Sequence, residues 1–200
     1  MESPQQEGLA ALEKDEYEPS IAESNIRSIV SHPEQLVAQF KEYEPKSDAV
    51  DVEALHNSEN TKVKKFKESV FYGEMINGRR HGQGIMLYNN GRLYEGQWEC
   101  DYKQGMGYEK FPNCSVYQGY YVNGKPEGVG KYTWANGEFY EGEWVNGLKH
   151  GSGMWQGAKG DSYVGEWRLG KADGYGVHVW INGDRYEGYF RQCLKQGEGT

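Results

Sequence analysis

The chain has 200 residues, a formal net charge of −8 and 28 glycines. Only 36% of its residues are hydrophobic while 14% are aromatic, so an ordinary aliphatic core is not expected and the core must be built largely from Tyr and Trp. The negative balance argues against nucleic acid as a partner, which needs a basic face. No run of 18 apolar residues is present to cross a membrane as a helix.

Residues 1–68 hold one glycine, Gly8, and no Trp, and carry 15 acidic against 8 basic side chains. Residues 69–200 carry 15 acidic against 14 basic and hold all six Trp. This change predicts an acidic tail over 1–68 and a separate body over 69–200. The first stretch, MESPQQEGLAALEKDEYEPS, lacks an apolar centre and is not a secretory signal. The tail reads as mostly disordered, with two short helical pieces. Near 20–30, Ser20 and Glu23 have capping-box spacing and are followed by Ile26, Ile29 and Val30. Near 33–43, Leu36, Val37, Phe40 and Tyr43 fall near one helical face. Such a piece either stays solvated or docks, in a partner's groove or back on the chain's own body. Lys62, Lys64, Lys65 and Lys67 cluster around Val63 and Phe66, a weak pull toward an anionic surface.

The body repeats. Gly73, Gly96, Gly119, Gly142, Gly165 and Gly188 are spaced by 23 residues without a gap. Two residues before each lies an aromatic: Phe71, Tyr94, Tyr117, Tyr140, Tyr163 and Tyr186. Two residues after lie Met75, Trp98, Tyr121, Trp144, Trp167 and Phe190. A G-x-G pair recurs in each unit, from Gly82 and Gly84 to Gly197 and Gly199. Tyr140, Gly142 and Trp144 alternate with Glu141, Glu143 and Val145, the period of a strand. Asn146-Gly147 and Asn136-Gly137 are hairpin turn pairs. Each unit is therefore two short antiparallel strands, and six units predict a meander of eleven or twelve. Glycine shares a face with the rings because a strand without Cβ lets a ring lie against its backbone.

The stretch YEGEWVNGLKHGSG at residues 140–153 resembles the MORN (membrane occupation and recognition nexus) repeat. The resemblance covers about residues 71–199 and implies an all-β fold: an elongated single-layer antiparallel meander of consecutive hairpins. It further implies a non-catalytic scaffold that binds proteins, with cilia, axonemes and other cytoskeletal assemblies as settings. Membrane junctions and modules joined to lipid kinases or methyltransferases are further settings of the family. The loop His of the pattern is kept only at His81 and His150; Gln104, Glu127, Asp173 and Gln196 replace it. Asp101 and Cys193 replace the turn Gly, and Gly157 stands where other units have Tyr88, Phe111, Trp134 and Trp180. The sixth unit is incomplete, stopping at Thr200 inside its second strand. That predicts a segment of a longer protein, or a partner covering the end.

Catalytic readings fail on spacing. Gly119-YYVN-Gly124-Lys125 and Gly165-EWRL-Gly170-Lys171 imitate a phosphate loop, yet Pro126 and Ala172 replace the Mg²⁺-binding hydroxyl and no helix follows. Cys100, Cys114 and Cys193 lack metal spacing and read as free thiols in a reducing, cytoplasmic compartment. No nucleophile, base and orienter fall together, so neither an enzyme nor a cofactor or metal site is expected.

Two binding surfaces are expected instead. Tyr94, Trp98, Tyr117, Tyr121, Tyr140, Trp144, Tyr163 and Trp167 form an aromatic groove suited to a helix or an extended peptide. Arg79, Arg80, Lys103, Lys125, Lys149, Lys171 and Lys195 follow the first strands and line one edge. That edge suits an anionic membrane surface, which gives the alternative of a peripheral phospholipid tether. A second alternative is the regulatory module of a larger enzyme such as a phosphatidylinositol phosphate kinase.

Overall fold

The computed structural model describes residues 46–200. The helical pieces expected near 20–30 and 33–43 lie outside the described residues. Among the described residues, one helix precedes the sheet: α1, Val52–Asn57, capped by the Asp51 carboxylate, which accepts from the Ala54 N–H at 2.9 Å. Thirteen strands follow. They are β1 Thr61–Lys65, β2 Ser69–Ile76, β3 Arg79–Tyr88, β4 Leu93–Glu99, β5 Tyr102–Lys110, β6 Val116–Val122 and β7 Lys125–Thr133. After these come β8 Phe139–Val145, β9 Leu148–Gln156, β10 Ser162–Arg168, β11 Lys171–Val179, β12 Arg185–Arg191 and β13 Leu194–Gly199.

The strands form one sheet in sequence order, so the fold is an all-β open meander of hairpins. The count exceeds the eleven or twelve expected because β1 lies upstream of the composition change at 68. Thr61–Lys65 pairs antiparallel with Glu74–Val70. Its sequence, TKVKK, is lysine-rich because it is an edge strand, where lysines discourage further pairing. Composition alone therefore grouped it with the tail.

Every unit carries a bulge beside its anchor glycine, as between Gly96 and Trp98 or Gly165 and Trp167. The tips are tight turns with two left-handed residues, such as Asn146 (φ 51°) and Gly147 (φ 81°). The strands also bend toward the face that carries the rings, called the front here. Thr133 pairs with Phe139 and Lys149 pairs with Trp144, so Trp134 and Lys149 would stand about 20 Å apart along a straight strand. The Lys149 Nζ nevertheless lies 5.5 Å from the Trp134 ring centre. This bending closes a trough and lets a single layer bury its rings.

The back carries a second, smaller core. Val50 and Leu55 pack on Val70, Tyr72, Ile85, Leu87 and Leu93. The segment from Lys46 through α1 is thus a strap across β2, β3 and β4. Its polar fastenings are Lys46 N–H to Glu95 Oε1 (2.9 Å), Asp51 N–H to Gln83 Oε1 (2.7 Å) and Ser58 Oγ to Glu74 Oε1 (3.1 Å).

Candidate functional site: the front trough

The rings of the front face form one zigzag. Tyr94 meets Trp98 edge-on at 5.0 Å and Tyr121 at 5.4 Å; Tyr117 meets Tyr121 at 5.2 Å and Trp144 at 5.3 Å. Tyr140 continues it to Trp144 at 5.2 Å and Trp167 at 5.0 Å, and Tyr163 to Trp167 at 5.2 Å and Phe190 at 5.0 Å. Such edge contacts add about 0.5–1.5 kcal/mol each beyond burial. The Tyr94, Tyr117, Tyr140 and Tyr163 rings also lie over glycines. A Cβ on Gly107 would stand 2.6 Å from the Tyr94 hydroxyl oxygen.

The polar ends of these rings are satisfied. The Tyr94, Tyr117, Tyr140 and Tyr163 hydroxyls donate to the carbonyls of Gln97, Tyr120, Glu143 and Glu166 at 3.0–3.1 Å. The Trp98, Trp144 and Trp167 Nε1–H groups donate to the carbonyls of Gly84, Gly130 and Gly153. Burial pushes the Tyr163 phenol up to about 12.

This arrangement corrects the aromatic-groove expectation. Tyr94, Trp98, Tyr117, Tyr121, Tyr140, Trp144, Tyr163 and Trp167 are 0% to 7% exposed. They are the core, because strand bending and glycine backbones enclose them. Rings that reach solvent on the same face include Tyr132, Trp134, Trp155, His178 and Trp180, in or just after the second strands. Tyr132 meets Trp134 at 4.7 Å, and His178 stacks on Trp180 at 4.3 Å with planes 10° apart. Trp155 Nε1–H donates to Glu138 at 2.6 Å. Sequence spacing held the signal: Tyr132 and Trp134 alternate in phase with Gly128 and Gly130, which places them on the front.

The basic edge is also corrected. Alternation along each strand sends its seven members to opposite faces. Arg79, Lys125 and Lys171 are exposed on the back. Arg80, Lys103, Lys149 and Lys195 turn to the front and cover rings. Arg80 lies 4.3 Å from the Trp98 ring centre, Lys149 4.3 Å from Trp167, and Lys195 4.1 Å from Trp180. Burial depresses the Lys149 ammonium pKa. Arg80 is also tied to Asp101 at 3.0 Å. These seven residues therefore do not form one continuous positive edge.

A buried ionic cluster takes the place of a second-strand ring in the second unit. Glu109 stands where other units carry Met86, Tyr132, Trp155 or His178. It is 3% exposed and accepts from Tyr121 Oη at 2.8 Å, from Arg92 at 2.5 Å and from Lys103. Burial alone would raise its pKa; Lys103, Arg92 and Tyr121 outweigh that and hold it below the usual carboxylate range.

The loop slot that varies among His, Gln, Glu and Asp joins neighbouring units. Gln104 accepts from Asn123 N–H at 3.0 Å, Glu127 from Asn146 N–H at 2.8 Å, and Asp173 from Gln192 N–H at 3.3 Å. His81 and His150 lie on β3 and β9, six strands apart, or about 29 Å. Among the described residues, no group of three or more His, Cys, Asp or Glu is placed to hold a metal ion. Cys100, Cys114 and Cys193 are exposed thiols. Among the described residues, no helix is long and apolar enough to cross a membrane.

The repeat geometry matches a known family. The MORN repeat model matches five times, at residues 71–91, 94–113, 117–139, 140–162 and 163–185. The sixth unit lies beyond the last match and forms β12 and β13. No curated protein matches the chain. A similar solved structure is the TCP domain of Drosophila melanogaster SAS-4 (dCPAP), in complex with a proline-rich motif of Ana2 (dSTIL). It has 16% identity and a TM-score of 0.34, and the match covers 79% of this chain and 94% of that one. With five copies of the repeat across its hairpins, the chain belongs to the MORN repeat family.

Proposed function

We propose that this chain is a non-catalytic scaffold that holds protein partners along its front trough. The observation that supports this is the strip of half-buried rings from Tyr132 and Trp134 through Trp155 to Trp180, flanked by Lys149 and Lys195. Aromatic side chains beside cations, on a rigid sheet, suit an extended or helical peptide with apolar and acidic groups. The hollow bounded by Trp180, Arg185, Tyr186 and Lys195 continues the strip toward β13. A cilium or another cytoskeletal assembly is the setting that the family resemblance favours.

The test is detergent fractionation of the tagged full chain from its own cells, beside the triple variant Trp134→Ala, Trp155→Ala, Trp180→Ala. The expected result is retention in the detergent-insoluble pellet and release of the variant. Release of both from a membrane pellet by detergent would contradict this reading and favour a phospholipid tether.

A further inference from the structure

The back face is covered at one end and open along the rest. One cross-strand row runs Tyr72, Ile85, Glu95, Tyr108, Gln118, Lys131 through consecutive pairs from β2 to β7. Tyr72, Ile85 and Glu95 are buried under the strap, Tyr108 is half-buried, and Gln118 and Lys131 are exposed. The parallel row that Ser58 and Asp51 fasten at Glu74 and Gln83 recurs two units on as Tyr120 and Val129. These are 50% and 61% exposed. Tyr120 also departs from its slot. In units one, four and five that slot holds Glu74, Glu143 and Glu166, which accept the N–H groups of Gln83, Ser152 and Tyr175. A tyrosine does not do this job, and here it presents an apolar ring to solvent instead.

The strap has a direction. Read backward, His56 faces Tyr72 on β2, Asp51 reaches Gln83 on β3, and Lys46 reaches Glu95 on β4. The described course of the strap thus ends over β4, beside β5 and the edge of the open patch. Residues 33–43 carry Leu36, Val37, Phe40 and Tyr43 at helical spacing. Eleven helical residues span about 16 Å, or roughly three strand spacings. That length reaches from β5 to β7. Within 33–43, Glu34 and Glu42 outnumber Lys41, and this negative balance suits Lys131 on the back face.

We propose that residues 33–43 of this same chain dock on the back face of β5–β7, over Tyr108, Tyr120 and Val129, as a continuation of the strap. The back of the first three units is then an internal interface, and the front trough is left to partners. This does not depend on what the trough binds.

The test uses the full chain with a photo-cross-linking benzoyl-phenylalanine at Val37. The expected cross-links are intramolecular, independent of concentration, and fall on the stretch from Tyr108 to Lys131. They vanish in the paired variant Tyr120→Asp, Val129→Asp, whose exposed sites leave the sheet folded by circular dichroism. Hydrogen exchange over residues 33–43 is expected to speed up at least about tenfold in that variant. Cross-links to a second copy, to another protein, to the front rings, or none at all would overturn the proposal.

Discussion

The Tyr140 ring occupies the space that a side chain on Gly153 would need. A Cβ there would lie 2.6 Å from the ring carbons Cε2 and Cζ. Tyr140 is fully buried and bonded through its hydroxyl to the Glu143 carbonyl, so it has nowhere to move. Gly153→Ala is therefore expected to cost about 1–3 kcal/mol by overpacking, read as a lowered urea midpoint. An unchanged midpoint would mean the ring does not rest on that backbone.

The hairpin tips offer the opposite change. Leu169 at φ 49° and Cys193 at φ 69° are L-residues in the left-handed region, where other units place Asn and Gly. Leu169→Asn and Cys193→Gly each relieve strain of about 1 kcal/mol. Both are expected to raise Tm by a few degrees. Leu169 is exposed, so removing it leaves no cavity.

Much of this was legible in the sequence, and the misreadings have physical causes. The 23-residue period fixed the hairpins because anchor glycines pair across strands, as Gly119 does with Gly130 and Gly142 with Gly153. Period-two alternation gives faces but not curvature, so Tyr94 and Trp144 read as a lining when strand bending makes them core. Lys125 and Lys149 lie one residue out of phase in their units, so alternation sends them to opposite faces. The strap was missed because Val50, Val52 and Leu55 are few apolar residues in an acidic stretch. Their burial comes from Val70, Ile85 and Leu93, more than ten residues away.

Glu109 gives a pH-dependent prediction. Its folded pKa is lowered, so its contribution is complete above the usual carboxylate range and is lost as pH falls through the folded value. The wild-type chain should therefore lose stability more steeply than Glu109→Gln below about pH 4.5. At neutral pH, Glu109→Gln strands Lys103 and Arg92, and a loss of about 3–5 kcal/mol is expected. Equal acid profiles would show that the buried pairing does not form.

The loop acceptors join neighbouring units. Glu127→Ala removes the bond to Asn146 N–H and should cost about 0.5–1.5 kcal/mol. In a repeat array the effect should stay local, appearing as faster hydrogen exchange around Val122–Lys125 and Val145–Leu148. Exchange that rises uniformly over all thirteen strands would contradict nearest-neighbour stacking.

The central claim is that the half-buried strip, not the buried zigzag, meets the protein partner. Hydroxyl-radical footprinting of the full chain, in its cellular assembly and after salt extraction, tests it directly. The account predicts that Trp134, Trp155 and Trp180 are protected in the assembly and oxidised after extraction, while Trp98 and Trp144 stay protected in both. Equal oxidation of the three strip residues in both states would contradict it.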